Sequence, residues 1–349
     1  MEAALLLIRA GVYLNQRAQY AEAEPLLVRA LAIDKKVLGA GHPQVATDLN
    51  NLALLYQNQG RYAEAEPLHV RARVIYEKAL KPEHLQVATG LNNLAGNYSR
   101  QGRYVEAEPL YMRALAIREK VLGAEAPQVA TVLGNLAELY RNQGRYAEAE
   151  PLYARALAIF EKALGAEHPD VADCLNNLAE LYDNQGKYAE AEPLRRKELA
   201  ICEQRYGADD LQTAASLTRL LRCLQEQGRH EEALPLCRRA LAIREQCMEA
   251  GHFKIAFSLS NLGLSLVCLE GDDNLAEAEQ RLLRATQIAE KFPDPRYWLA
   301  RLYQKRGRDG DRERVIEEWK RYLELESTSD ERRHEAIARL EVLSGQGKL

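Results

Sequence analysis

Five asparagines carry the most distinctive chemistry in the sequence. Asn51, Asn93, Asn135 and Asn177 stand 42 residues apart, and Asn261 returns at the same phase after Arg219 takes the intervening place. Asparagine is a mediocre helix former, so its recurrence within helical segments is not explained by propensity. A side-chain amide presents a donor and an acceptor together, matching the NH and C=O of a peptide backbone. If the helices bearing these residues pack about 10 Å apart, an extended chain rising about 3.3 Å per residue would meet an amide every three residues or so. The alternative is that the amides bond one another or neighbouring turns and stabilise the stack.

Other chemistries are poorly represented. His42, His84 and His168 also recur, but each lacks a second ligand close in sequence, so they read as loop or cap residues and no metal is expected. The six cysteines (Cys174, Cys202, Cys223, Cys237, Cys247 and Cys268) form no CxxC pair, which fits free thiols in a reducing, cytoplasmic setting. There is no nucleophile elbow, P-loop or dinucleotide fingerprint, and a helical pattern leaves no strand to carry one. No catalytic residue and no cofactor are therefore expected. Lys plus Arg number 47 against 51 Asp plus Glu, a net charge of −4, without the basic excess that a nucleic-acid partner requires. The amino terminus does not read as a signal peptide, and no apolar run reaches the 18 or so residues of a membrane span.

The elements that position the asparagines follow from the period. Gly60, Gly102, Gly144, Gly186 and Gly228 recur every 42 residues, each within a phrase such as Asn142-Gln143-Gly144-Arg145-Tyr146-Ala147-Glu148-Ala149-Glu150-Pro151. A fixed period of this size marks stacked helical pairs forming one continuous array. Before each glycine lies an apolar stripe at offsets 0, 3, 4 and 7, as in Leu133, Leu136, Ala137 and Tyr140, which predicts a helix buried on that face. After it, Tyr146, Ala149, Tyr153, Ala156 and Leu157 predict a second helix, with alanines that let two axes approach closely. Pro67, Pro109, Pro151, Pro193 and Pro235 fall near the first turns of the second helices and are read as tolerated early-helix prolines.

These residues, in this order and spacing, resemble the tetratricopeptide repeat (TPR). The longer period, with Leu-Asn-Asn-Leu-Ala and Tyr-Ala-Glu-Ala-Glu-Pro-Leu, resembles the repeats of kinesin light chains and their bacterial relatives over roughly residues 1 to 290. The resemblance implies an all-α, right-handed superhelical solenoid of antiparallel helix pairs, with seven repeats over 1–293, a divergent eighth pair over 294–326, and a capping helix and tail over 327–349. Ser327, Thr328, Ser329 and Asp330 are candidate N-caps for that last helix. Ala18 stands where the first repeat should have glycine, and the turn of the seventh repeat is lengthened at Gly271-Asp272-Asp273-Asn274.

In TPR arrays the first helices line the concave side, so the resemblance places there the stripe opposite the apolar one: Thr47, Asn51 and Asn58; Thr89, Asn93 and Arg100; Thr131, Asn135, Glu138 and Asn142; Asp173, Asn177, Glu180 and Asn184; Arg219 and Arg222; and Asn261. Kinesin light chains hold cargo peptides with asparagines at this position, and the resemblance extends that role to Asn51, Asn93, Asn135, Asn177 and Asn261. Arg100, Arg219 and Arg222 would meet acidic residues of a ligand, and Glu138 and Glu180 basic ones. Phe257, Leu264, Cys268 and Trp298 turn the stripe apolar near its end, suggesting either an anchor pocket or burial of Trp298 under the last helix. Cys237, at a tyrosine position, is expected to be buried, and Arg195 and Glu198 break the packing rule at tyrosine and alanine positions. The expected function is a non-enzymatic scaffold binding an extended segment of a protein or peptide partner. A structural, self-associating or sensor module of a larger signalling assembly is the alternative.

Overall fold

A computed structural model describes residues 2–325 and 330–343. The candidate caps Ser327, Thr328 and Ser329, and the side chain of Asp330, lie outside the described residues. The described residues contain seventeen α-helices and no strand. Their contacts divide the chain into two compact units, Met1–Leu181 and Tyr182–Leu349.

The first unit contains α1 (Glu2–Gln16), α2 (Tyr20–Leu38), α3 (Pro43–Asn58), α4 (Tyr62–Ala79), α5 (Leu85–Arg100), α6 (Tyr104–Leu122), α7 (Pro127–Asn142), α8 (Tyr146–Leu164) and all but the last turn of α9 (Pro169–Asp183). Helices pack as pairs, α1 on α2, α3 on α4, α5 on α6 and α7 on α8. The first helices of successive pairs also touch, α1 to α3, α3 to α5 and α5 to α7, so they form one layer. Leu49, Ala53, Leu91, Ala95, Leu133 and Ala137 from that layer and Ala65, Ala107 and Ala149 from the other are buried. An alanine at these contacts removes the side chain that would otherwise hold two helices apart.

The turns explain the recurring glycine. Gly60, Gly102 and Gly144 have φ of 76°, 74° and 74°, a left-handed backbone that an L side chain resists. Ala18 adopts the same conformation at φ 58° without that freedom.

The rest of the phrase is a clamp between successive pairs. Arg145, just after the glycine, donates to Glu148 of its own helix (Nε to Oε1, 2.7 Å) and to Glu108 of the preceding pair (Nη1 to Oε2, 2.8 Å). Its guanidinium lies 4.0 Å from the centroid of the Tyr140 ring, whose hydroxyl donates to the same Glu108. Arg61 and Arg103 repeat the arrangement with Glu24 and Glu64, and with Glu66 and Glu106. The two glutamates of Tyr-Ala-Glu-Ala-Glu-Pro thus serve different neighbours, which accounts for their joint recurrence.

The histidines are caps, as their spacing predicted. Nδ1 of His42 and His84 accepts from the backbone NH of Gln44 and Gln86 at 3.1 Å, and His168 does the same for Asp170 at 3.2 Å. This satisfies a first-turn donor that no helical carbonyl can reach.

The second unit contains α10 (Tyr188–Tyr206), α11 (Leu211–Glu226), α12 (His230–Cys247), α13 (Phe253–Leu269), α14 (Asp272–Ile288), α15 (Asp294–Arg306), α16 (Asp311–Leu323) and α17 (Asp330–Leu343). Its core runs through Leu220, Leu224, Leu259, Leu266, Leu282 and Leu302 to the fully buried Trp319. Tyr297 stacks edge-on against both Trp298 (5.1 Å) and Trp319 (5.3 Å), so half-buried Trp298 belongs to this aromatic cluster. Cys237 is buried at its tyrosine position, and burial pushes its thiol up to about 12, leaving no thiolate near neutral pH.

Candidate functional site

The asparagines lie on the first helices: Asn51 on α3, Asn93 on α5, Asn135 on α7, Asn177 on α9 and Asn261 on α13. All five are half-buried, neither sealed in the core nor fully in solvent. Part of their capacity is used within the chain. Asn135 Nδ2 donates to Asn92 Oδ1 at 3.0 Å, Asn92 Nδ2 to Asn93 Oδ1 at 3.4 Å, and Asn176 Nδ2 to Asn177 Oδ1 at 3.4 Å. An amide offers two protons and two lone pairs, so one internal bond leaves most of it for another chain.

Asn135 and Asn177 meet in one hollow. A pocket of about 260 Å³ is lined by Thr131, Gly134, Asn135 and Glu138 of α7, Tyr153 and Phe160 of α8, and Asp170, Asp173 and Asn177 of α9. Five of these (Thr131, Asn135, Glu138, Asp173 and Asn177) belong to the stripe read from the sequence. The other four named here were missed: Gly134, Tyr153, Phe160 and Asp170. The signal for Gly134 was legible, because Asn50, Asn92 and Asn176 hold its place in the neighbouring repeats. A Cβ placed on Gly134 would meet no atom within 4 Å. Tyr153 is completely buried, and its hydroxyl has no hydrogen-bond partner among the described residues. Burial also holds the phenol well above its ordinary pKa, so it stays protonated.

The remaining stripe residues of the first unit divide by environment. Arg100, Glu138 and Asn142 are exposed, and neither Arg100 nor Glu138 has an ion pair among the described residues. Glu180 is taken by Arg141, with Nη1 2.6 Å from Oε2.

A family model of the tetratricopeptide repeat matches residues 2–78, 48–120, 128–194, 184–246 and 222–291. The chain belongs to the tetratricopeptide repeat family. Such proteins generally mediate protein–protein interactions with protein or peptide partners, and the scaffolds are typically non-catalytic. No enzyme family is indicated, and no curated protein matches in sequence. Among solved structures, a Podosopora anserina protein of nearly identical TPR-like repeats of the kinesin light chain type is 30% identical. That alignment covers 59% of this chain and 98% of the other, with a TM-score of 0.53. BtubC (BKLC) from P. vanneervenii is 23% identical over 69% of this chain and 92% of that one, with a TM-score of 0.55. The apo form of the quorum sensor NprR from B. thuringiensis, at 17% identity over 92% and 87%, has a TM-score of 0.60 and shares the fold.

In the second unit of this TPR protein the stripe changes character. Arg195 and Glu198, on α10, are buried with Asp183. Arg195 donates to Asp183 Oδ2 (2.9 Å) and to Glu198 Oε2 (3.2 Å). Arg222 Nη2 reaches the same Asp183 oxygen at 2.9 Å, and Arg219 Nε reaches Glu198 Oε1 at 3.0 Å. The two stripe arginines are therefore held by the chain's own carboxylates, and the irregular pair Arg195 and Glu198 is the centre of that network. Asn184 is exposed and Asn261 half-buried. Phe257 packs 6.1 Å from Phe292, so its ring covers the connection between α14 and α15. Among the described residues no helix is long and apolar enough to cross a membrane, and no cluster of metal-ligating side chains occurs.

Proposed function

We propose that this TPR protein is a non-enzymatic scaffold that holds an extended segment of a protein partner along its first helices, in the manner of the kinesin light chain type of repeat. The observation that carries this reading is the hollow at Asn135 and Asn177, where two amides from successive repeats face one cavity together with Thr131, Glu138 and Asp173. Each amide can give a proton to a backbone C=O and take one from a backbone NH. Main-chain recognition fixes the strand while the flanking side chains select its residues. The 42-residue spacing of the helix starts at Pro43, Leu85, Pro127 and Pro169 would present the rungs at a regular interval.

Capture from a random dodecapeptide library, read by sequencing, tests this. Wild-type protein should select peptides, and Asn135→Ala and Asn177→Ala should each weaken the selected peptides about tenfold, the value of one or two hydrogen bonds at about 1 kcal/mol each. Self-association without any peptide selection would reject the scaffold reading in favour of a structural module.

A further inference from the structure

Resting on that reading, we propose that the cavity at Gly134 is a specificity pocket for a basic side chain of the bound segment, an arginine or a lysine. Its existence traces to a single missing side chain. Asn50, in the second repeat, fills the equivalent space and contacts Nδ1 of buried His69 at 2.8 Å. At Gly134 there is no amide, and the equivalent aromatic, Tyr153, is left with an unpaired buried hydroxyl. A buried polar group without a partner costs about 1–3 kcal/mol, and glycine inside a helix costs a further 0.5–1 kcal/mol or so. Both costs fall at the same spot, and a ligand polar atom in the cavity would relieve the first of them.

The lining chemistry defines the ligand. Glu138, Asp170 and Asp173 supply three carboxylates, and no Lys, Arg or His lines the cavity. Asp170 lies in the first turn of α9, where the helix itself favours an acid. Glu138 and Asp173 stand beyond any first turn, so that explanation does not cover them. Arg141, the cation whose field reaches Tyr153, is held by Glu180. A volume of about 260 Å³ is below the roughly 300–1,000 Å³ of pockets for whole small ligands, which suits one long side chain. A guanidinium or ammonium entering there would donate to the Tyr153 oxygen and the carboxylates, and lie against the Phe160 and Tyr153 rings. An acidic side chain would meet like charge there, and a purely aliphatic one would offer no partner to the Tyr153 hydroxyl.

The substitution Gly134→Asn tests this, because it installs the residue carried at positions 50, 92 and 176 and should fold. The probe is a positional dodecapeptide library with Arg, Lys, citrulline, Glu or Leu fixed at each place in turn. Wild-type protein should retain Arg or Lys pools about tenfold over citrulline and Glu pools at one position. Gly134→Asn should erase that preference, bringing the Arg and Lys pools down to the level of the citrulline and Glu pools. Tyr153→Phe should cut the preference several-fold without lowering the melting temperature, since the hydroxyl it removes has no partner. Equal retention of all pools by wild-type protein, or an unchanged preference in Gly134→Asn, overturns the pocket and leaves the scaffold standing. Absence of any peptide capture overturns the scaffold. In that case saturable binding of arginine amide to wild type but not to Gly134→Asn supports a pocket for a free basic ligand, and no binding overturns both.

Discussion

Removing Arg195 should be among the most damaging single changes available in the second unit. Its side chain is 1% exposed, and those of its partners Asp183 and Glu198 are 2% and 3% exposed. Truncation to alanine leaves two buried carboxylates facing each other with their central cation gone, and breaking a buried pair in this way costs about 3–5 kcal/mol. The structure places the expected value at the low end. Arg222 still reaches Asp183 at 2.9 Å and Arg219 still reaches Glu198, though with side chains 54% and 36% exposed they lie in water-screened positions. We therefore expect Arg195→Ala to lose about 3 kcal/mol. Unfolding in urea followed by tryptophan fluorescence is the suitable assay, because the only two tryptophans, Trp298 and Trp319, both lie in the second unit. With a slope of about 1–3 kcal/mol per molar urea, the midpoint should fall by about 1 M or more. Restoring the repeat pattern with Arg195→Tyr and Glu198→Ala together should recover part of the loss, since one buried charge then remains in place of two. A loss below about 1 kcal/mol for Arg195→Ala would show that the outer arginines suffice and that the network is not centred on Arg195.

Three further changes probe the first unit, followed by circular dichroism. Burial pushes His69 down to about 4, below its unfolded value near 6.5. Protons then bind the unfolded chain more readily, so stability should fall as pH drops from 7 to 4, by on the order of 3 kcal/mol from this group. His69→Tyr, copying Tyr111 and Tyr153, should flatten that slope, and an unchanged slope would refute the assignment. Asp48, raised by burial to about 7, acts in the opposite sense and destabilises as pH rises, so the comparison must be made between wild type and variant. At the first turn, Ala18→Gly should relieve a left-handed alanine costing about 1–2 kcal/mol, less about 0.5–1 kcal/mol of glycine entropy. A small rise in melting temperature is expected there, and a fall of similar size in Gly144→Ala, the reverse exchange at φ 74°.

Much of the fold was legible because each repeat solves a local problem with local residues. Offsets of 3, 4 and 7 mark a buried helical face, a left-handed turn demands glycine, and a first-turn NH takes the nearest acceptor, here a histidine two residues earlier. The asparagine stripe was legible for the same reason, since residues on one helix share a face by periodicity alone. What escaped the reading involves partners distant in sequence. Arg219 and Arg222 look like ligand-facing charges until Glu198 and Asp183 arrive from neighbouring helices to engage them.

The chain's own order of residues thus determined the helix pairs, their period, the turns and the face on which the amides stand, because all of these depend on separations of a few residues. Only tertiary structure decided what those side chains do next. Stacking brings residues some forty positions apart into contact, so it alone settles that Asn135 spends a proton on Asn92, that Asp183 gathers two arginines, and that the absent side chain at Gly134 opens a cavity above an unpaired tyrosine hydroxyl. Interior groups must find partners or go without, and which of the two occurs is a property of the packed neighbours and not of the residue itself.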